Sequence, residues 1–230
     1  LGAELVLETV VDIEKNKSFK VKTENNSYKS KAIIFAAGTK KRKLNLENEE
    51  KYLGRGVSYC ATCDGPFFQD KVTAVIGGGN SAVGAVHILS EISPKIYLIY
   101  RGSKLKAQPV WVERIKDLKN VEFIFNANLT KLHGKDKLEK ITLDNGQELE
   151  VDGLFIEIGS IPTTELTKKI NLKLDDHNHI DVKQDQSTNI EGVFAAGDIT
   201  NNSNHFRQVI TAAAEGAIAA NSAFQFIRGK

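Results

Sequence analysis

Apolar residues in the first forty positions mostly alternate with polar ones, with the period of two that is typical of β-strands. The pattern predicts strands over residues 4–13, 19–23, 27–31 and 32–36, which we expect to form a small antiparallel meander. Residues 40–50 follow without periodicity, and seven of these eleven residues are charged. This stretch predicts a linker and the first domain boundary.

From residue 71 onward, segments with strand and helix patterns alternate. Short apolar runs indicate the strands, and the segments between them have helical spacing. The predicted elements are strand 72–76, helix 81–90, strand 95–100, helix 110–119 and strand 121–125. This βαβαβ order is typical of a doubly wound parallel sheet in the α/β class.

The second half of the chain contains a predicted hairpin and a long final helix. Strands at 140–143 and 147–151 flank an Asp-Asn-Gly turn at 144–146, a strong signal for a tight hairpin. An apolar strand at 192–196 ends in a Gly-Asp turn, and residues 208–227 have the pattern of a helix.

Composition narrows the functional classes. The chain has 31 Lys or Arg and 29 Asp or Glu, a net charge of +2, which excludes a nucleic-acid binder that works by bulk charge. No apolar stretch approaches the roughly 18 to 20 residues of a membrane span, so we expect a cytoplasmic protein with no membrane or nucleic-acid partner. The sequence contains no Met, and we expect a further segment before Leu1.

A glycine-rich turn follows the strand at 72–76 and opens the next helix. Its residues are Gly77, Gly78, Gly79, Asn80, Ser81 and Ala82. Glycines allow a tight turn and a close approach of the backbone to a pyrophosphate, whose charge the helix N-terminus stabilises. The turn predicts a dinucleotide site; the alternative is a structural turn without a ligand.

The residues after the second strand of this region indicate which nicotinamide cofactor to expect. Sites specific for NAD place a carboxylate there to bind the ribose 2′-hydroxyl. Residues 100–106 contain no carboxylate, but they include Tyr100, Arg101 and Lys106. A cation at this position suits a 2′-phosphate, so we predict NADPH. The alternative is a basic surface loop without a ligand.

The two cysteines of the chain, Cys60 and Cys63, are separated by two residues. Three interpretations are open: half of a zinc site, two inert buried thiols, or a redox-active disulfide. The histidine spacing suits zinc poorly and the polar neighbours suit a reactive turn, so we favour the disulfide. Asp64 is the candidate to donate or accept the proton that thiol–disulfide exchange requires.

Together these motifs resemble one family, the low-molecular-weight thioredoxin reductases among the pyridine nucleotide-disulfide oxidoreductases. The match is carried by residues 61–65 around the cysteine pair, the turn at 77–83, and the segments 192–198 and 207–209. They follow the family's order across nearly the whole chain.

The resemblance implies two Rossmann-like domains, each built of three layers in the order ββα. Residues 1–42 and 157–230 would belong to a FAD domain, and residues 43–156 to an inserted NADPH domain that carries the cysteine pair.

The resemblance also implies roles for individual residues. Cys63 faces the flavin, Cys60 attacks the protein substrate, and electrons pass from NADPH through FAD and the disulfide to thioredoxin. A homodimer is expected. The further NADPH contacts are Ile158 and Gly159, and the FAD contacts are Gly38, Gly197, Asp198, Arg207, Gln208 and Val209.

The chain departs from the family pattern in three places. The family's first flavin motif, a glycine-rich strand–turn–helix, does not occur in it. Tyr100 and Gly102 stand where the family usually has basic residues, which weakens the expected preference for NADPH. Gly84 and Ala85 replace residues that are often acidic.

Two alternative functions follow from these observations. One is the flavoprotein component of alkyl hydroperoxide reductase, which shares the cysteine pair and usually takes electrons from NADH. The other is a nucleotide-binding or partner-binding module without turnover, because half of the flavin site does not occur in the chain.

Overall fold

The computed structural model describes residues 2–229, which form two compact units. The inserted unit is Lys41–Ser160, and the discontinuous unit consists of the chain before and after it. The resemblance places the two boundaries between the units at 42/43 and 156/157, and in the structure they lie at 40/41 and 160/161.

The chain contains fifteen strands and four α-helices within the described residues. The strands are β1 (Val10–Lys15), β2 (Phe19–Thr23), β3 (Ser27–Ser30), β4 (Ile33–Phe35), β5 (Thr39–Lys41), β6 (Val57–Ser58), β7 (Val72–Ile76), β8 (Lys95–Tyr100), β9 (Val121–Phe125), β10 (Leu129–His133), β11 (Lys140–Leu143), β12 (Glu148–Glu150), β13 (Gly153–Ile156), β14 (Ser160–Pro162) and β15 (Val193–Ala195). The helices are α1 (Ala61–Asp64), α2 (Asn80–Ser90), α3 (Pro109–Ile115) and α4 (Val209–Arg228).

The inserted unit is built on a five-stranded parallel sheet with the strand order β6–β13–β7–β8–β9. Its central strands are mostly apolar because both faces of a parallel sheet are covered. On one face, Val75, Leu98 and Phe155 pack with buried residues of α2. On the other, Ile76 and Ile156 share a core with the antiparallel sheet β10–β11–β12. The unit therefore has the predicted three layers.

The stretch predicted as a linker is anchored to the inserted unit. Glu49 is buried and accepts hydrogen bonds from the backbone N–H groups of Leu44 and Leu46 and from the Tyr59 hydroxyl. A buried carboxylate is tolerated when donors surround it in this way. The charge pattern alone does not reveal this bonding.

The predicted four-stranded meander at the start of the chain is wrong for its last strand. Strands β1, β2 and β3 form an antiparallel sheet, but β4 pairs in parallel with β15, more than 150 residues later in the chain. In this pairing Phe35 of β4 shares a buried core with Val193 and Ala195 of β15. Phe194 of β15 packs against Ala219 and Ala223 of α4. The first strand begins at Val10, because residues 4–9 pair with no strand of the described chain and Leu5 and Leu7 are exposed.

Among the helices of the described chain, none is both long and apolar enough to cross a membrane.

Candidate functional site

The glycine turn after β7 lies directly against the end of β13. Gly77 has φ +144°, and a Cβ there would lie 2.2 Å from the Glu157 carbonyl oxygen and 2.9 Å from the Ala82 Cβ. Because no side chain fits in this space, only glycine allows the turn and the two strand ends to approach so closely. Ala82 is fully buried against the turn, where a small residue is required.

The loop after β8 packs onto the same turn. A Cβ on Gly78 would lie 2.6 Å from the Tyr100 ring, so the ring lies flat over the glycine. The Lys106 N–H donates to the Gly78 carbonyl at 2.7 Å, and the Gln108 N–H donates to the Asn80 Oδ1 at 2.8 Å. These bonds hold the basic loop beside the turn.

The turn and the loop enclose a cleft of about 520 Å³. Helix α2 begins there after Gly79, and none of the described side chains caps its first turn, so its N–H groups are available to an anion. The predicted NADPH residues that line the cleft are Gly77, Gly78, Gly79, Asn80, Ser81, Tyr100, Arg101, Lys106, Ile158 and Gly159. These residues fit a dinucleotide phosphate, with the pyrophosphate on the turn and the 2′-phosphate near the exposed Arg101 and Lys106.

The two cysteines form a disulfide at the start of helix α1, with their Cα atoms 5.3 Å apart. Cys60 is the N-cap of this helix, and its sulfur accepts a hydrogen bond from the Cys63 N–H at 3.2 Å. Cys60 is half-buried and lines a second cleft of about 300 Å³, whereas Cys63 is exposed. The pair is thus in the same unit as the nucleotide cleft.

Asp64 is held by a serine that the sequence interpretation missed. The Ser58 hydroxyl donates to the Asp64 Oδ2 at 2.6 Å and accepts from the Cys60 N–H at 3.0 Å. Ser58 is only 2% exposed, so the contact is shielded from water. Asp64 lines a further cleft of about 390 Å³.

In the discontinuous unit, the predicted FAD residues follow the paired strands β4 and β15. Gly38 and Gly197 both have positive φ, +60° and +80°, and turn the chain at the strand ends. The Gly197 N–H donates to the Glu215 Oε2 at 2.7 Å, which fixes the turn that presents Asp198. Glu215 is buried and was not predicted as a site residue.

The remaining predicted FAD residues lie where α4 begins. Gln208 is its N-cap and forms a reciprocal capping box with Thr211. The Arg207 Nε donates to the Asp198 carbonyl oxygen at 3.4 Å, and Val209 is exposed. A helix N-terminus beside an acidic turn fits one wall of a flavin site, with Asp198 for a ribityl hydroxyl and α4 for the ring's negative charge.

Comparison with known protein families shows which family the chain belongs to. The model of the pyridine nucleotide-disulphide oxidoreductase family matches residues 2–216. The chain belongs to this family. The predicted cofactors FAD and NADPH are those of the family, which confirms the cofactor prediction.

Relatives and solved structures give a finer comparison. The thioredoxin reductase of Treponema pallidum is 37% identical over 98% of this chain, which covers 74% of that protein. The crystal structure of the Lactococcus lactis thioredoxin reductase has a TM-score of 0.86 at 33% identity, over 97% of this chain and 75% of that one. One subunit of the alkyl hydroperoxide reductase of Staphylococcus aureus is 40% identical over 94% of this chain, which covers 43% of that protein. The predicted family and the predicted α/β fold are confirmed.

This oxidoreductase has one further buried carboxylate at the clefts that sequence interpretation missed. Glu157 lines both the nucleotide cleft and the Cys60 cleft, and its Oε2 accepts from the Lys41 Nζ at 2.9 Å. The signal that could have revealed it is a lone charge in an apolar run, since Glu157 directly follows strand β13. Tyr59 also lines the Cys60 cleft. The pKa of Tyr59 is raised above its usual range, mainly by burial and secondly by the hydrogen bond between Tyr59 and Glu49.

Proposed function

We propose that the protein containing this chain is a thioredoxin reductase that passes electrons from NADPH, through FAD and the Cys60–Cys63 disulfide, to a thioredoxin. The observation that carries the proposal is the disulfide at the start of α1, in the same unit as a cleft suited to a dinucleotide phosphate. When bound, NADPH would supply a hydride, and FAD would accept the two electrons of this hydride and pass them to the disulfide.

The chain's own residues perform the thiol chemistry. Two electrons break the S–S bond and leave two cysteines, of which Cys60 is proposed as the attacking thiolate. In support, the Cys60 sulfur is at a helix N-cap and accepts the Cys63 N–H, an arrangement that stabilises a thiolate. The Cys60 thiolate displaces one sulfur of the substrate disulfide, and Cys63 then attacks Cys60 to release reduced thioredoxin.

Asp64 is proposed to hold and deliver a proton during these steps. It directly follows Cys63 and is held by Ser58, whose oxygen also binds the Cys60 backbone. A carboxyl group fixed beside a dithiol is suited to protonate the thiolate that leaves.

The test is reduction of a thioredoxin disulfide by the full-length protein. The rate is measured as the decrease in NADPH absorbance at 340 nm. We expect turnover that depends on added thioredoxin and disappears in Cys60→Ala. Oxidation of NADPH by the flavoprotein without any reduction of thioredoxin would contradict the proposal.

A second candidate is the flavoprotein component of alkyl hydroperoxide reductase, because the Staphylococcus aureus relative named for that enzyme is 40% identical over 223 residues. The basic loop favours the first candidate, since Arg101 and Lys106 line the nucleotide cleft and residues 100–106 contain no carboxylate. A clear preference for NADH over NADPH would favour the second candidate.

Two further predictions, one from the resemblance and one from the hydropathy of the sequence, remain proposals. We propose a homodimer, to be tested by light scattering of the full-length protein in solution. We also propose a cytoplasmic location, to be tested by fractionation of the cells that produce it. A monomeric mass or a membrane-bound fraction would contradict them.

A further inference from the structure

A buried carboxylate interrupts the apolar end of strand β13. Glu157 is 8% exposed, and the residues before it, Phe155 and Ile156, are fully buried. Moving a carboxylate out of water is costly unless a cation or several donors compensate for the lost hydration. The Lys41 ammonium does so at 2.9 Å, and it is the one donor to this carboxylate in the described part of the chain. An apolar side chain at position 157 would fill the core without a charged partner, so packing alone does not explain the Glu157–Lys41 pair.

The carboxylate lies where the two clefts meet. Glu157 and Ser81 line both the nucleotide cleft and the Cys60 cleft. The Glu157 backbone touches the glycine turn, since its carbonyl oxygen occupies the space beside Gly77. Glu157 is therefore next to the position of the pyrophosphate, on the side that leads to the disulfide.

The direction of a bound dinucleotide follows from this arrangement. Arg101 and Lys106 line one part of the cleft and would hold the adenosine end with its 2′-phosphate, and the glycine turn would hold the pyrophosphate. The other end of the molecule then extends past Ser81 and Glu157. Gly84 and Ala85 line the Cys60 cleft at this point, and a Cβ on Gly84 would meet no described atom within 4 Å, so the space beside Gly84 is open.

The nicotinamide end carries a carboxamide, whose NH₂ group donates two hydrogen bonds. An ionised carboxylate accepts several bonds through its two oxygens, and in Glu157 the Lys41 Nζ occupies only the Oε2. We propose that Glu157 positions the nicotinamide of NADPH by accepting a hydrogen bond from the carboxamide NH₂, while Lys41 remains bound to the other carboxylate oxygen. This inference rests on the proposed nucleotide cleft and adds the residue that orients the reactive ring.

The experiment measures binding rather than turnover. Calorimetry of the full-length protein gives the Kd of NADP⁺ and of adenosine 2′,5′-bisphosphate, a fragment that lacks the nicotinamide. For Glu157→Ala we expect NADP⁺ to bind about ten- to a hundredfold more weakly, as for a lost hydrogen bond to a charged group, while the fragment's Kd stays within about twofold. The control Glu150→Ala removes an exposed carboxylate of the same unit that lines neither cleft, and we expect both Kd values to be unchanged.

A second measurement needs no variant. In the acetylpyridine analogue of NADP⁺, a methyl group replaces the NH₂ group, so the wild type should bind this analogue about tenfold more weakly than NADP⁺. Equal Kd values for the two dinucleotides in the wild type would overturn the role of Glu157. An equal loss of NADP⁺ and fragment binding in Glu157→Ala would also overturn it, since that loss indicates a structural role. If the fragment did not bind the wild type at all, the proposed nucleotide cleft itself would be wrong.

Discussion

Ser58 donates a hydrogen bond to Asp64, with 2.6 Å between the Ser58 Oγ and the Asp64 Oδ2. The same Oγ accepts the Cys60 N–H, so one buried hydroxyl connects the carboxyl group to the disulfide. A hydrogen bond to a charged acceptor fixes direction as well as adding stability. The serine therefore fixes the position of the Asp64 carboxyl group relative to the sulfurs.

Replacing Ser58 with Ala removes this connection and leaves the Cys60 N–H without its acceptor. We expect thioredoxin reduction to slow about five- to tenfold, the size of one lost hydrogen bond, while NADP⁺ affinity is unchanged. Ser18→Ala is the matched control, because Ser18 is exposed and belongs to the other unit. Steady-state kinetics check this prediction, and an unchanged rate in Ser58→Ala would show that Asp64 needs no orientation.

Asp64→Asn keeps the shape of the side chain but removes its acid. We expect turnover with thioredoxin to fall about 10²- to 10⁴-fold, the usual contribution of a general acid or base. Reduction of the flavin by NADPH should proceed as in the wild type, because that step needs no proton at the disulfide; stopped-flow absorbance measures it. Near-normal turnover would leave Asp64 with only a structural role in its turn.

The roles of the two cysteines can be distinguished by trapping a mixed disulfide with thioredoxin. If Cys60 attacks the substrate, Cys63→Ser should accumulate a mixed disulfide between Cys60 and thioredoxin, because no second thiol resolves it. Cys60→Ser should accumulate none. Non-reducing electrophoresis and mass spectrometry of the linked peptides check both results, and the opposite pattern would reverse the assignment.

Arg101 is expected to determine the preference for NADPH. A guanidinium can bind a phosphate through two parallel bonds, so Arg101→Ala should reduce kcat/KM for NADPH by about ten- to a hundredfold and leave that for NADH nearly unchanged. Lys104→Ala is the control, because Lys104 is exposed in the same loop and does not line the cleft. If Arg101→Ala leaves the ratio of the two kcat/KM values unchanged, the loop is only a basic surface.

Two glycines of one turn are expected to behave differently. Gly77→Ala places a methyl group against the Glu157 carbonyl at a φ of +144°, so we expect a loss of at least about 2 kcal/mol of unfolding free energy. Gly79→Ala meets no described atom within 4 Å and should fold normally, yet bind NADP⁺ more weakly because its methyl group points into the space of the pyrophosphate. Thermal unfolding and calorimetry measure the two effects. Equal stability of both variants would contradict the close approach at Gly77.

The sequence alone determined the local features of this protein. These features are the strand–helix–strand order of β7, α2 and β8, the glycine turn between β7 and α2, and the spacing of Cys60 and Cys63. Each strand, helix, turn and spacing among them is encoded by residues within about ten positions of one another. Periodicity and turn chemistry are properties of such short segments, which is why they can be recognised without a structure.

Tertiary structure alone decided which distant segments meet. Strand β13 lies between β6 and β7, and β4 pairs with β15 rather than with its neighbours in the chain. It also brings Glu157 to Lys41, 116 residues away. Such choices depend on the apolar area buried by the whole fold and on the compensation of buried charges, and no short segment contains either quantity.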